Sequence, residues 1–133
     1  MLISTRGRYA LRFLVDLAEN QADGYITTRE LADRQEVSQK YAERLMVLLS
    51  KKFLVKTQHG KGGGYKLSKE PEEYKISEIL AAMDENLSPV DCLTCNPNSC
   101  PRSENCRTLP MWTKLDGMIN DFFEKTTLKD LMK

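Results

Sequence analysis

All four cysteines of this 133-residue chain are crowded into one polar stretch. They are Cys92, Cys95, Cys100 and Cys106, in the spacing C-x2-C-x4-C-x5-C. Cysteine thiolates are ligands for soft metals, and a flexible loop can wrap around a bound ion. Because Asn, Pro, Ser and charged residues surround them, these thiols do not fit an apolar core. The spacing suits an iron–sulfur cluster, tetrahedral zinc or metal-free thiol chemistry, and it does not separate these alternatives.

The cysteines belong to a longer stretch, residues 85–107, that shows no apolar periodicity and is called the cysteine segment below. A loop of this length inside a compact domain is uncommon and is usually functional. Metal binding would order the segment, because the ligand bonds offset the lost chain entropy. We therefore predict that residues 85–107 form a sensor loop.

The charges of the chain are divided unevenly between its halves. Residues 1–67 hold 12 Lys and Arg against 7 Asp and Glu, which gives 12 − 7 = +5. Residues 68–133 hold 8 against 12, which gives 8 − 12 = −4 and a total of +1. A basic front half suits contact with a polyanion such as DNA.

The first 84 residues follow the pattern of a winged helix–turn–helix domain. Apolar spacing predicts a helix over residues 6–20, and Thr27 with Glu30 has the spacing of a capping box for a short second helix. Ser38 is a suitable N-cap for a third helix. The remaining predicted elements are strands at 53–58 and 65–67 around a glycine-rich turn, and a helix at 76–84.

The third helix carries the predicted recognition surface. Tyr41, Leu45, Leu48 and Leu49 are expected to form its buried stripe, which leaves polar residues near its start facing outward. In a winged helix this end of the third helix enters the major groove, where Arg, Gln and Glu can contact bases and Lys can contact phosphates. The predicted DNA-binding residues are Ser38, Gln39, Lys40, Tyr41, Glu43, Arg44, His59 and Lys61.

The last part of the chain, residues 108–133, resumes helical spacing. Its apolar stripe consists of Leu109, Trp112, Leu115, Met118, Ile119, Phe122 and Phe123. Pairing with the same helix of a second subunit would bury this stripe and fix the spacing of two recognition helices; packing against the first helix is the alternative. The expected fold is mainly α: a winged helix–turn–helix (residues 1–84) with a two-stranded β wing, plus a long C-terminal dimerisation helix.

Several other classes of protein are disfavoured by the sequence. The chain lacks the roughly 18 consecutive apolar residues of a membrane span, and Asp16 and Glu19 interrupt the apolar run that a signal peptide would need. We therefore expect a cytoplasmic protein without a membrane partner. We do not expect an enzyme, because the only feature in favour, Cys92-x2-Cys95, lacks the strand-then-helix setting of a thioredoxin-like motif.

Three stretches of the chain resemble the winged-helix regulators of the Rrf-two family, whose members include the iron–sulfur regulator IscR and the nitric-oxide sensor NsrR. These stretches are STRGRYALRFLVDLA, VSQKYAERLMVLLSKKFLV and HGKGGGYKLSK. The resemblance continues through the cysteine segment to Trp112. It implies a homodimeric transcriptional regulator, such as a repressor, that binds near-palindromic promoter DNA. Lys40, Glu43 and His59 match positions with which the family reads DNA, although IscR-like members usually carry Arg at the position of His59.

The resemblance also implies a [2Fe-2S] or [4Fe-4S] cluster in the cysteine segment, with zinc as the lesser possibility. Cluster-binding relatives carry three cysteines here, the last two separated by five residues, as Cys100 and Cys106 are. IscR-like proteins use a His where this chain has Leu109, and NsrR-like proteins use an acid where it has Arg8. Cys92 is therefore the expected fourth ligand. Other relatives respond without a metal to a metabolite, thiol oxidation or a protein partner, and that alternative stays open.

Overall fold

The computed structural model describes residues 2–95 and 97–133, with the backbone alone for Asp23. The chain is mainly helical with one two-stranded antiparallel sheet, which confirms the expected fold class. The elements are α1 (Thr5–Asn20), α2 (Thr28–Gln35), α3 (Gln39–Lys51), β1 (Val55–Gln58), β2 (Gly64–Leu67), α4 (Ile76–Ala82), α5 (Leu109–Lys125) and α6 (Leu128–Leu131). Short 3-10 turns cover Gln21–Asp23, Pro71–Glu73 and Asp91–Leu93. In the described part of the chain, no helix is both long and apolar enough to cross a membrane.

Hydroxyl side chains begin the helices where the sequence predicts them. Thr27 and Glu30 form the expected capping box, with the backbone nitrogen of Glu30 donating to the Thr27 hydroxyl at 3.1 Å. The hydroxyl of Ser38 accepts from the backbone nitrogen of Tyr41 at 3.1 Å and starts α3. Each such cap satisfies a backbone donor that the first helical turn leaves unpaired, and contributes about 1 kcal/mol.

The buried face of α3 is rotated relative to the predicted stripe. Leu45 and Leu49 are buried as expected, whereas Tyr41 and Leu48 are only half-buried. The other buried positions are Ala42 and Met46. The prediction that Tyr41 and Leu48 are buried was therefore wrong, because the row of α3 that faces the core consists of Ala42, Leu45, Met46 and Leu49. The rotation leaves Tyr41 at the edge of the core.

The wing, which comprises β1, β2 and their glycine-rich turn, is fixed to the segment before α2. Tyr65 exchanges two backbone hydrogen bonds with Ile26, at 2.9 and 2.7 Å. This approach requires glycine at position 64, where φ is +145° and a Cβ atom would overlap the carbonyl oxygen of Ile26. The wing therefore has a fixed orientation relative to α2 and α3.

The first strand is shorter than predicted, because Phe53 and Leu54 belong to the turn that closes α3 after Lys51. The backbone nitrogen of Leu54 donates to the carbonyl of Leu49 at 3.0 Å, which closes the helix with Phe53 in the left-handed region at φ +60°. Glycine normally takes this position. The side chain of Phe53 is 85% exposed instead of contributing to a strand.

The hydrophobic core joins α1, α2, α3 and α4 and is completed from the far end of the chain. Tyr74 and Leu128 are both fully buried, and the backbone nitrogen of Leu128 donates to the carbonyl of Tyr74 at 2.9 Å. Thr127 caps α6 through a capping box with Asp130. The short helix α6 thus packs into the core formed by the first 83 residues.

The long helix α5 lies outside this core and contains no buried residue. It packs against α4, and Lys75 and Glu124 form an ion pair of 2.5 Å near its end. Phe123 is partly buried against the core. The adjoining face of the helix exposes Met111, Leu115, Met118 and Phe122.

Candidate nucleic-acid interface and cysteine segment

The start of α3 presents an exposed polar surface. Gln39, Lys40, Glu43 and Arg44 are all exposed, and Ser38 is exposed beside them. The amide of Gln39 lies 3.4 Å from the Glu43 carboxylate, one helical turn away. Neither Lys40 nor Arg44 forms an ion pair with any described residue. These side chains are therefore available to contact a ligand.

The turn of the wing lies at the far end of the hairpin. His59 and Lys61 are exposed, and the turn is closed by a 3.1 Å hydrogen bond from the backbone nitrogen of Gly63 to the carbonyl of Gly60. Burial raises the pKa of Tyr65 on β2, and the Glu43 carboxylate raises it further. Glu43 on α3 therefore lies near enough to Tyr65 on the wing to affect its pKa.

A second cationic group, which the sequence-based prediction missed, lies where α1 meets α3. The rings of Tyr9 and Tyr41 pack edge to face with centroids 5.8 Å apart. Burial raises the pKa of Tyr41, and the neighbouring Tyr9 adds to this, while the positive charges of Arg6, Arg44 and Arg8 oppose it. Only Arg44 of these arginines was among the predicted DNA-binding residues.

The beginning of the cysteine segment is attached to the first turn of α1. The Glu85 carboxylate accepts from the backbone nitrogen of Ser4 at 3.1 Å and also from the Ser4 hydroxyl. That hydroxyl accepts in turn from the backbone nitrogen of Gly7 at 3.0 Å, so Ser4 is the N-cap of α1. A second contact joins the same two regions: the guanidinium of Arg6 donates to the carbonyl of Met83 at 2.6 Å.

The four cysteines carry free thiols in the cysteine segment. Cys95 is exposed and the other three are half-buried. Across residues 2–95 and 97–133, no three His, Cys, Asp or Glu side chains are grouped closely enough to hold a metal ion. The donor set itself suits a soft metal or an iron–sulfur cluster, since it offers four thiolates. The segment would have to rearrange to bring them together.

One of these thiols has a distinct electrostatic environment. The pKa of Cys106 is lowered, first by the hydrogen bond with the Thr108 hydroxyl at 3.4 Å and then by the backbone of Thr108. The backbone nitrogen of Leu109, at the start of α5, and the charge of Arg102 act in the same direction. Cys106 is therefore more readily ionised than an ordinary thiol.

Comparison with known proteins places this geometry in a family. The family model of Rrf2, described as an iron-dependent transcriptional regulator, matches residues 3–133. The regulator IscR of Pectobacterium atrosepticum is 32% identical over 99% of this chain and 79% of its own length.

Solved structures agree with the sequence match. CymR, the global cysteine regulator of B. subtilis, superposes with a TM-score of 0.81 at 28% identity, covering 98% of this chain and 95% of CymR. IscR of T. potens superposes with a TM-score of 0.76 at 29% identity, covering 98% and 85% of the two chains. The chain therefore belongs to the Rrf2 family of DNA-binding transcriptional regulators, and the expectation that it is not an enzyme agrees with the regulators it resembles.

Proposed function

We propose that the protein is a homodimeric regulator that binds near-palindromic promoter DNA with α3 in the major groove. The observation that carries this proposal is the exposed start of α3, where Gln39, Lys40 and Arg44 project without ion-pair partners among the described residues. Their chemistry suits base edges and phosphates. His59 and Lys61 at the tip of the wing would contact the adjacent backbone or minor groove.

The exposed side of α5 supports the homodimer. Met118 and Phe122 are 61% and 63% exposed, and Leu115 lies one turn before Met118 on the same side. Burial in a symmetric interface would remove this apolar surface from water, at roughly 25 cal/mol for each Å². A two-fold dimer would also match the symmetry of a palindromic site.

We further propose that Cys92, Cys95, Cys100 and Cys106 ligate an iron–sulfur cluster that reports cluster supply, redox state or nitric oxide. The support is the four-thiol donor set and the resemblance to IscR regulators. A bound cluster would supply a redox-active centre that reacts with oxidants and nitric oxide. The four thiolates would hold it. Cys92 would be the fourth ligand, because this chain has neither the His nor the acid that relatives use in that role.

The contacts of Met83 and Glu85 provide a physical route from the cysteine segment to the DNA-binding surface. Both residues hold the first turn of α1, through Arg6 and Ser4. Arg6 belongs to the group around Tyr41 at the start of α3. Ordering of the cysteine segment would therefore change the position of residues beside the recognition helix.

The DNA-binding proposal is tested by titrating the protein with its operator at several salt concentrations. Replacing Lys40 with Ala removes one phosphate contact, so affinity should fall on all sequences and the salt slope should fall by about 1. Replacing Arg44 with Ala should lower discrimination between operator and random DNA. The control is Lys129→Ala, an exposed change on α6. Unchanged operator binding by both Lys40→Ala and Arg44→Ala would overturn the docking.

The cluster proposal is tested by anaerobic purification with an absorption spectrum and iron, sulfide and zinc analysis. Visible absorption bands with bound iron and sulfide are expected, and they should be lost in Cys100→Ser and Cys106→Ser. Colourless protein with zinc or without metal contradicts the cluster. An intact cluster in Cys92→Ser contradicts only the choice of fourth ligand.

Metal-free thiol sensing is the second candidate, and two observations favour it. The pKa of Cys106 is lowered, so this thiol ionises more readily than an ordinary one. The structural relative CymR is a cysteine regulator. This function predicts protein that stays colourless after anaerobic purification and whose operator affinity changes on mild oxidation.

A further inference from the structure

A surface cavity of about 380 Å³ lies between the N-terminal turn of α1 and residues 41–48 of α3. Its walls are Arg6, Tyr41, Arg44, Leu45 and Leu48. Pockets for small ligands commonly measure about 300–1,000 Å³, so this cavity has room for a compact molecule. None of the four cysteines and no residue of the wing lines this cavity.

The polar wall of the cavity is cationic. Arg6 and Arg44 both line it, and neither has an ion-pair partner within residues 2–95 and 97–133. Arg6 gives one of its five N–H groups to the carbonyl of Met83, so further donors remain. Arg8 adds a third positive charge close to Tyr41. Guanidinium groups bind carboxylates through paired hydrogen bonds, which makes an organic anion the natural ligand.

The rest of the cavity lining is apolar, and this apolar wall sets a second requirement for the ligand. Leu48 is half-buried and Leu45 is 4% exposed, and together with the ring of Tyr41 they supply hydrocarbon surface. Inorganic phosphate or a bare DNA phosphate would leave this wall uncovered. A carboxylate with a short apolar chain would satisfy both walls.

We propose that this cavity binds small carboxylates that carry a short apolar tail, with the carboxylate between Arg6 and Arg44 and the tail against Leu45 and Leu48. Such a ligand would engage Arg44, one of the proposed DNA contacts, and Arg6, which holds Met83 just before the cysteine segment. Bound carboxylate would then weaken operator binding; this consequence alone rests on the proposed function.

The experiment uses the full chain in its solution state, without DNA, and three probes in isothermal titration calorimetry at low ionic strength, where charge pairing is least screened. Hexanoate has both the charge and the tail. Acetate keeps the charge and shortens the tail, and hexan-1-ol keeps the tail without the charge. We expect saturable one-site binding of hexanoate, with each of the other probes about tenfold weaker or more.

Variants assign the binding to the cavity. Arg6→Gln should weaken hexanoate binding by about tenfold, since it removes a charged donor. Leu48→Trp should abolish it by filling the apolar part while keeping both arginines. The matched control Lys51→Gln changes an exposed charge on the same helix outside the cavity and should bind hexanoate like the unmodified chain.

Three results would overturn the proposal: no saturable hexanoate binding, equal binding of hexanoate and hexan-1-ol, or unaltered binding by Leu48→Trp. The first includes the case in which a second copy of the chain covers the cavity. Because binding is measured without DNA, a failure of the operator-binding experiment leaves these outcomes unaffected. Hexanoate titrated into the protein–operator complex then shows whether occupancy releases DNA.

Discussion

The carboxylate of Glu85 holds Ser4 through both its backbone nitrogen and its hydroxyl, across 81 positions of sequence. The same hydroxyl caps α1, so the first residue of the cysteine segment is fixed to the start of the first helix. A negative charge at this end of a helix is also favourable for the helix dipole. Any movement of the cysteine segment that displaces Glu85 must therefore disturb α1.

Replacing Ser4 with Ala tests this link. The variant loses the α1 cap and the hydroxyl contact with Glu85, and keeps only the backbone hydrogen bond to that carboxylate. Its free energy of unfolding should fall by about 1–2 kcal/mol in urea denaturation. The variant should also respond less to the signal. If the segment binds a cluster, the metal-loaded and metal-free forms should differ less in operator affinity; if it senses thiol oxidation, the reduced and oxidised forms should differ less.

The matched control for Ser4→Ala is Thr127→Ala, which removes the cap of α6 and touches no residue of the cysteine segment. It should lower stability by a similar amount and leave the affinity difference unchanged. Equal loss of that difference in both variants would show that general destabilisation, and not the Ser4–Glu85 contact, is responsible.

Replacing Phe122 with Glu tests the role of α5. The side chain is 63% exposed, so the helix should still form, and circular dichroism should be unchanged. A charge placed in the apolar interface should convert the dimer to monomer in analytical ultracentrifugation. Lys114→Glu, on an exposed position of the same helix, should remain dimeric. A Phe122→Glu protein that stays dimeric would contradict pairing through α5.

The lowered pKa of Cys106 predicts a specific pH dependence of thiol alkylation in the reduced, metal-free protein. The thiolate is the reactive form, and its fraction grows as pH rises through the pKa. A lowered pKa therefore extends the reactivity of Cys106 to pH values below the usual thiol range, near 8.5. Mass spectrometry after brief iodoacetamide treatment gives the midpoint.

Thr108→Val removes the first cause of this shift and should move the alkylation midpoint of Cys106 to higher pH. Thr94→Val, which removes a hydroxyl 3.7 Å from the sulfur of Cys95, is the control and should leave the Cys106 midpoint in place. An unchanged midpoint in Thr108→Val would contradict the assigned cause.

The ion pair between Asp16 and Arg34 predicts a measurable contribution to stability. The Asp16 side chain is 3% exposed and also accepts from the Gln35 amide at 2.8 Å, which joins α1 to α2. Asp16→Asn removes charge-assisted hydrogen bonds from a buried acceptor and should lower the free energy of unfolding by about 1–3 kcal/mol. Unfolding in urea should be compared at one protein concentration, since the proposed dimerisation would add to stability.

The control is Glu78→Gln, which breaks the exposed pair with Lys69 and should change stability by less than about 1 kcal/mol. Equal effects of Asp16→Asn and Glu78→Gln would show that burial of Asp16 adds nothing to the pair.

The starts of α2 and α3 were predictable because their causes are local. Thr27 with Glu30 and Ser38 satisfy backbone donors within three residues, so short sequence patterns contain all the needed information. The rotation of α3 was not predictable in the same way. Ala42 is small and gives a weak hydrophobic signal, yet it is fully buried in the core.

Phe53 shows a second limit of sequence reasoning. Its β-branched and apolar neighbours favour a strand. Instead, the backbone nitrogen of Leu54 donates to the carbonyl of Leu49, so Phe53 lies in the turn that closes α3. A glycine at position 53 would have signalled this left-handed end, and phenylalanine gives no such signal. The structure offers no packing partner for the 85% exposed ring.

Some parts of the candidate site were likewise predictable from local sequence, and others were not. The polar start of α3 and the four cysteines are visible in sequence because their residue types and spacing are local. The group of Arg6, Tyr41 and Arg44 and the contact between Ser4 and Glu85 bring together residues that are distant in sequence. No short pattern predicts them, and they emerge only when the core aligns α1 with α3 and α4.

The burial of Leu128 also bears on synthesis of the protein. Every residue of the proposed DNA-binding surface is made early, yet the core that holds α1 against α4 lacks one of its fully buried side chains until Leu128 emerges. Chains grow at about 5–20 residues each second, and N-terminal parts begin to fold first. The nascent chain therefore acquires α5 before its core can close, so a truncated product that ends before Leu128 would carry the recognition helix on an incomplete scaffold.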